Sequence, residues 1–267
     1  MDMIQKDTAY ALITGASRGL GKHMAYELAK RGYNLLLVSL PGEGLSELAK
    51  DPHFKDVTVK YFECDLTDKD QLNALLKTVN QLYQLCILIN NAGIGCSQSM
   101  LDADARLIDK IIQLNITATS LMTHGLLPNL MRFKGYAYIL NVSSLASFSP
   151  MAYKTVYPAS KRFVHYFSKG LRFELKDTNV LVSVTHPGPM LTNREIGDHV
   201  KKFGKWVNWL MLSPELSAKI TVSKMLRKQN AIIPGLINKI NWLLMSVLPE
   251  FITVSLISSQ FKKASHT

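Results

Sequence analysis

Tyr157 and Lys161 stand four residues apart in Val156-Tyr157-Pro158-Ala159-Ser160-Lys161, a spacing that puts two side chains on one helix face. A phenol beside an ammonium can move a proton. The cation lowers the phenol from its ordinary pKa of roughly 10 and makes it an acid and base usable near neutrality. Pro158 suits the first turn of the helix, where its missing N–H costs nothing. Ser144 lies thirteen residues before Tyr157, at the end of an apolar run, where a hydroxyl can bond a carbonyl oxygen and stabilise charge developing on it. Ser143 is the neighbouring candidate, and the spacing to Tyr157 favours Ser144. Asn115 interrupts a long apolar helical stretch, as a satisfied, helix-kinking amide would.

These residues need a scaffold. Short apolar runs alternate with helical periods along the chain: strands at Tyr10–Thr14, Asn34–Ser39, Thr58–Glu63, Cys86–Asn90, Tyr136–Val142, Asn179–Thr185 and Ala231–Ile233, with helices at Leu20–Lys30, Lys69–Leu82, Ala103–Met131, Thr155–Leu175 and Pro214–Lys228. The order predicts an α/β fold, a Rossmann-type doubly wound parallel sheet of about seven strands with helices on both faces. The strands read as apolar on both faces, as a buried parallel sheet requires. Ligands bind such sheets outside the carboxyl ends of the strands.

The first of those ends runs into Thr14-Gly15-Ala16-Ser17-Arg18-Gly19-Leu20-Gly21. Its glycines allow a tight turn and close approach of backbone to a pyrophosphate, which a helix N-terminus favours. The second strand ends at Ser39 rather than at an acid that would bind a ribose 2′-hydroxyl and repel a 2′-phosphate. Arg18 can pair with that phosphate, so NADP(H) is favoured over NAD(H). Asp65, beside Leu66, could accept from the adenine amino group, while Thr67 or Asp68 could cap the next helix. Asn90-Asn91-Ala92-Gly93 ends the fourth strand with small residues that leave room for a cofactor, or forms a simple turn.

Together TGASRGLG, NNAG, NVSS, YPASK and HPGPMLT, in this order over about residues 8–235, resemble the short-chain dehydrogenase/reductase family. The resemblance implies a Rossmann fold and a catalytic tetrad. Asn115 would hold a water in a proton relay, Ser144 orient the substrate, Tyr157 act as general acid/base, and Lys161 bind the nicotinamide ribose and lower the tyrosine pKa. The cofactor would lie along Gly15, Ser17, Arg18, Gly19, Leu20, Gly21, Ser39, Asp65, Leu66, Asn91, Ala92, Gly93, Tyr157 and Lys161, with Pro187, Gly188 and Thr192 beside the carboxamide. No metal is expected. Leu40 stands where members that prefer NADP often carry a second arginine.

Residues 189–212 would form the variable lid of this single 1–235 domain, carrying Lys201, Lys202, Phe203, Lys205, Trp206, Trp209, Leu210 and Met211. Basic and aromatic residues interleaved in this way suit a hydrophobic substrate met at an anionic surface, or simply pack on the core. Nucleic acid is not expected, because the catalytic set would then go unexplained. Residues 236–267 begin with an amphipathic helix, apolar at Leu236, Ile237, Ile240, Leu243, Leu244, Val247 and Leu248. It could pack on the lid, dimerise, or lie on a membrane surface.

The net charge of +11 is concentrated at this end: residues 194–267 hold 11 basic and 4 acidic groups, a field that suits an anionic surface or serves solubility. Cys64, Cys86 and Cys96 lack metal or disulfide spacing and read as buried free thiols. Met1–Thr8 has no apolar targeting region, so the expected location is cytoplasmic, with peripheral membrane contact through the C-terminal helix.

The extension and its Ile232-Ile233-Pro234-Gly235 entry are similar to long-chain 3-ketoacyl, 3-ketosphinganine and 17β-hydroxysteroid reductases. That similarity implies an NADPH-dependent reductase of a hydrophobic ketone, acting as a homo-oligomer, dimer or tetramer. An NAD-dependent alcohol dehydrogenase working oxidatively, and a cofactor-binding membrane-surface protein with little catalysis, are the alternatives.

Overall fold

The computed structural model describes residues 9–190, 211–249 and 251–254. Seven parallel strands form one sheet in the order β3-β2-β1-β4-β5-β6-β7. They are β1 (Ala9–Thr14), β2 (Asn34–Ser39), β3 (Val59–Glu63), β4 (Gln84–Asn90), β5 (Ala137–Val142), β6 (Val180–Thr185) and β7 (Ala231–Ile232). The helices are α1 (Gly19–Ala29), α2 (Leu45–Leu48), α3 (Lys69–Leu82), α4 (Ala105–Ile112), α5 (Thr119–Met131), α6 (Val156–Glu174), α7 (Pro214–Leu226) and α8 (Leu236–Val247). Helices α1 and α7 pack together, and α3, α5 and α6 pack on β4, β5 and β6 or on one another. The expected architecture is therefore present. The strand order turns back between β1 and β4, the switch point at which such sheets open a crevice.

Sequence pattern explains the layout. All six residues of β2 and of β5 are buried, because parallel strands are covered on both faces and are accordingly rich in apolar residues. Strand β3 differs from expectation: Lys60, Tyr61 and Glu63 are exposed. It is one edge of the sheet, paired among the described residues with β2 alone, and charges on an edge discourage further strand pairing.

A row of buried polar side chains crosses the sheet beneath the crevice. Asn90 donates to Thr123 Oγ1 at 2.9 Å and to Asn141 Oδ1 at 2.8 Å, and Asn141 donates to Ser168 Oγ at 2.9 Å. This chain ties α5, β4, β5 and α6 in fixed register, since each buried amide would be costly unbonded.

The helix expected over 103–131 is not one α-helix. Between α4 and α5 the segment Gln113–Ala118 is π-helical and carries Asn115. Such bulges collect at functional sites. After Gly235, α8 packs against the short 3₁₀ turn Leu145–Phe148, with the Trp242 and Phe148 rings 6.2 Å apart. Among the described residues, no helix is long and apolar enough to cross a membrane.

Candidate active site

A cleft of about 790 Å³ opens over the carboxyl ends of β1, β2, β4, β5 and β6. At one end lie Gly15, Ser17, Arg18, Gly19 and Leu20, facing Ser39, Asp65 and Leu66; Asn91, Ala92 and Gly93 form the middle. Ser144, Tyr157, Lys161, Pro187 and Gly188 line the other end. Gly21 and Asn115 lie just behind this wall and shape it, and Thr192, with the lid residues Lys201 to Leu210, lies outside the described residues.

The glycine loop is built for close approach. Gly15 has φ +63°, and a Cβ on Gly21 would run into the Gly15 carbonyl oxygen. Asn91 Nδ2 holds the loop from across the sheet, donating to Thr14 O at 2.9 Å and Gly15 O at 3.0 Å, while Thr14 Oγ1 accepts from the Asn91 and Ala92 amides. Asn91 is thus more than a turn residue. Helix α1 starts at Gly19 with no side-chain cap on its free N–H groups, which leaves them for an anion. A glycine cradle, an uncapped helix start and an elongated cleft fit a dinucleotide with its pyrophosphate at this loop.

Arg18 does not stand alone. Its Nη2 lies 3.2 Å from Glu43 Oε1, and Ser17 Oγ donates to Glu43 Oε2 at 2.7 Å. Asp65 turns inward, accepting from the Thr67 amide and hydroxyl, while Asp68 caps α3. Of the three thiols, Cys64 and Cys86 are buried, but Cys96 is partly exposed and lines the cleft.

At the far end, α6 presents Tyr157, Ser160 and Lys161. The Ser144 hydroxyl hydrogen-bonds the Tyr157 phenol and draws its pKa down, but burial is the larger effect and holds it above its usual value. The net direction is thus opposite to what a neighbouring ammonium alone would give, because desolvation favours the neutral phenol. Lys161 is 5% exposed, donates to Val142 O at 2.9 Å, and is brought down to about 8 by burial. Asn115, wholly buried, donates to Ile94 O and Ser160 Oγ, both at 2.9 Å, and accepts from the Ile94 amide at 3.0 Å. Both amide protons are committed, so this side chain acts as a brace between the π segment, the β4 loop and α6.

Several residues at the site carried no signal in the sequence. His186 is fully buried just before Pro187, with Nδ1 3.3 Å from Ser144 O and 3.2 Å from Ser147 Oγ, and Nε2 3.1 Å from His165 Nδ1. Burial and His165 pull it down to about 3, so it is a neutral strut beneath Ser144. Lys154, with Nζ 5.1 Å from the Tyr157 ring centre, lines the cleft. Asn238 of α8 packs so tightly on Gly188 that a Cβ there would overlap its amide, and its Nδ2 donates to Pro234 O at 2.8 Å. His186 and Asn238 meet Ser144 and Gly188 across 42 and 50 residues of sequence, a separation that no local pattern marks.

Comparison with known proteins agrees with the geometry. A family model for short chain dehydrogenases matches residues 9–199. Over 185 residues, 67% of this chain, the sequence is 36% identical to the very-long-chain 3-oxoacyl-CoA reductase of Anas platyrhynchos, but the match spans only 59% of that protein. The ketoacyl reductase HetN of Nostoc sp. is 31% identical over 232 residues, covering 85% of this chain and 75% of that one. Among solved structures, a short-chain dehydrogenase from Sphingobium yanoikuyae in complex with NADPH superposes with a TM-score of 0.77 at 27% identity, covering 90% of this chain and 96% of that one.

Proposed function

Because the chain belongs to the short-chain dehydrogenase family, we propose that it reduces a ketone on a hydrophobic molecule to a secondary alcohol, using NADPH. The observation that carries this reading is the convergence of Ser144, Tyr157 and Lys161 at one end of a cleft whose other end is the glycine loop. NADPH, when bound, supplies a hydride to the carbonyl carbon. The Ser144 hydroxyl orients the carbonyl oxygen, and the Tyr157 phenol gives that oxygen its proton as charge builds there. Burial favours the neutral phenol, the form that gives up the proton in reduction. Lys161, charged below about pH 8, would steady the phenolate left behind and hold the nicotinamide ribose. The Asn115 brace and the His186 strut keep Tyr157 and Ser144 in register.

The hydrophobic substrate is supported by the names of the two reductase relatives and by Ile94, Leu114 and Met190 along the cleft. The test is NADPH oxidation by the purified protein with long-chain 3-oxoacyl, sphingoid and steroid ketones, followed at 340 nm. Tyr157→Phe should lower turnover about 100-fold or more with NADPH affinity kept within about twofold. Undiminished turnover would overturn the assignment of Tyr157, and no turnover with any ketone would overturn the reading.

A further inference from the structure

The cofactor preference proposed above relied on Arg18 meeting a 2′-phosphate. That guanidinium already has a carboxylate partner. Glu43 stands in the turn after β2, between Gly42 and Gly44, whose φ values of +76° and +72° swing the chain back over the glycine loop. Its two oxygens are both engaged, one by Arg18 at 3.2 Å and one by Ser17 Oγ at 2.7 Å. The Glu43 side chain is 23% exposed and that of Arg18 is 65% exposed, so the carboxylate is the fixed member and the arginine the one free to swing. Ser39, where an acid would read the ribose, is 5% exposed and donates to Leu40 O at 3.4 Å. Among the described residues, the acidic side chains lining the cleft at this end are Glu43 and Asp65, and Asp65 is folded onto Thr67.

We propose that Glu43 is the residue that sets nicotinamide cofactor preference in this chain, by holding Arg18 and opposing a 2′-phosphate while accepting a ribose 2′-hydroxyl. A phosphate bearing nearly two charges outcompetes a carboxylate for the arginine. The released Glu43 then stays within a Debye length of that phosphate and repels it. Arg18 therefore confers less NADPH selectivity than an unopposed arginine would, and the two cofactors bind with more similar affinities.

The inference rests on the cleft taking a nicotinamide dinucleotide, and its test separates the two readings. Dissociation constants for NADPH and NADH are measured by nucleotide fluorescence on the wild type, Glu43→Gln, Glu43→Ala and Arg18→Ala, with melting curves to verify folding. Both Glu43 variants should tighten NADPH about fivefold and leave NADH unchanged or weaker; Arg18→Ala should weaken NADPH alone. If neither Glu43 variant moves the NADPH-to-NADH ratio, Glu43 does not set the preference, whichever cofactor the wild type favours. If the wild type binds NADH more tightly and the Glu43 variants still shift the ratio toward NADPH, this inference stands and the NADPH assignment falls.

Discussion

Replacing Lys161 with Met should abolish reduction and yet stabilise the folded protein at neutral pH. The ammonium is 5% exposed, with its pKa brought from 10.5 to about 8 by burial. At about 1.4 kcal/mol per pH unit, keeping it charged costs the fold about 3 kcal/mol near pH 7. Methionine removes that cost and loses the bond to Val142 O, worth about 1 kcal/mol. A net gain of about 2 kcal/mol remains. The sign of the pH dependence is fixed. Between pH 8 and about 10.5 the unfolded chain binds more protons than the folded one, so wild-type stability rises with pH across that window. The variant, lacking the group, does not share this rise. Its advantage should shrink by about 2 kcal/mol between pH 7 and pH 9.5, to about zero, and reverse as the pH rises further. Urea unfolding of both proteins at the two pH values, without added nucleotide, measures this directly. A stability difference independent of pH, or a variant less stable at pH 7, would refute the reasoning.

Other perturbations read different parts of the site. Gly21→Ala sets a methyl against the Gly15 carbonyl oxygen and 2.6 Å from Asn91 Nδ2, so NADPH affinity by titration should fall about tenfold or more as the loop is displaced; unchanged affinity would show that the loop gives way freely. Asn115→Leu leaves the Ile94 N–H and C=O without their side-chain partner. At about 1–3 kcal/mol for each orphaned group, the melting temperature should drop by roughly 5–15 °C, and a drop below about 2 °C would mean Asn115 is no brace.

What the sequence disclosed and what it hid divide along physical lines. Strand β2 and helix α3 have the bounds expected of them, because four consecutive apolar residues between Asn34 and Ser39 and an Asp68 cap are local signals. The cleft was legible for the same reason: its loops follow strand ends, Gly15, Asn91 and Ser144 sit just past where strands stop, and Tyr157 opens the helix that follows β5. The π segment was hidden because no composition marks it; the amide of Asn115, drawn to Ile94 and Ser160, belongs to tertiary contacts. Glu43 was missed because its partners lie 25 and 26 residues back. The Tyr157 pKa was misjudged in direction because a rule about neighbouring charge says nothing of how deeply the phenol is buried.

The tight seat of Asn238 on Gly188 also puts the site on a clock. During synthesis Gly188, in the loop after β6, is made about fifty residues before Asn238, a gap of several seconds at about 5–20 residues per second. A nascent chain can pair its first six strands within that interval, but Gly188 at the end of its cleft lacks its Asn238 contact until α8 emerges and docks. Helix α8 is therefore the element that completes the packing behind this end of the cleft.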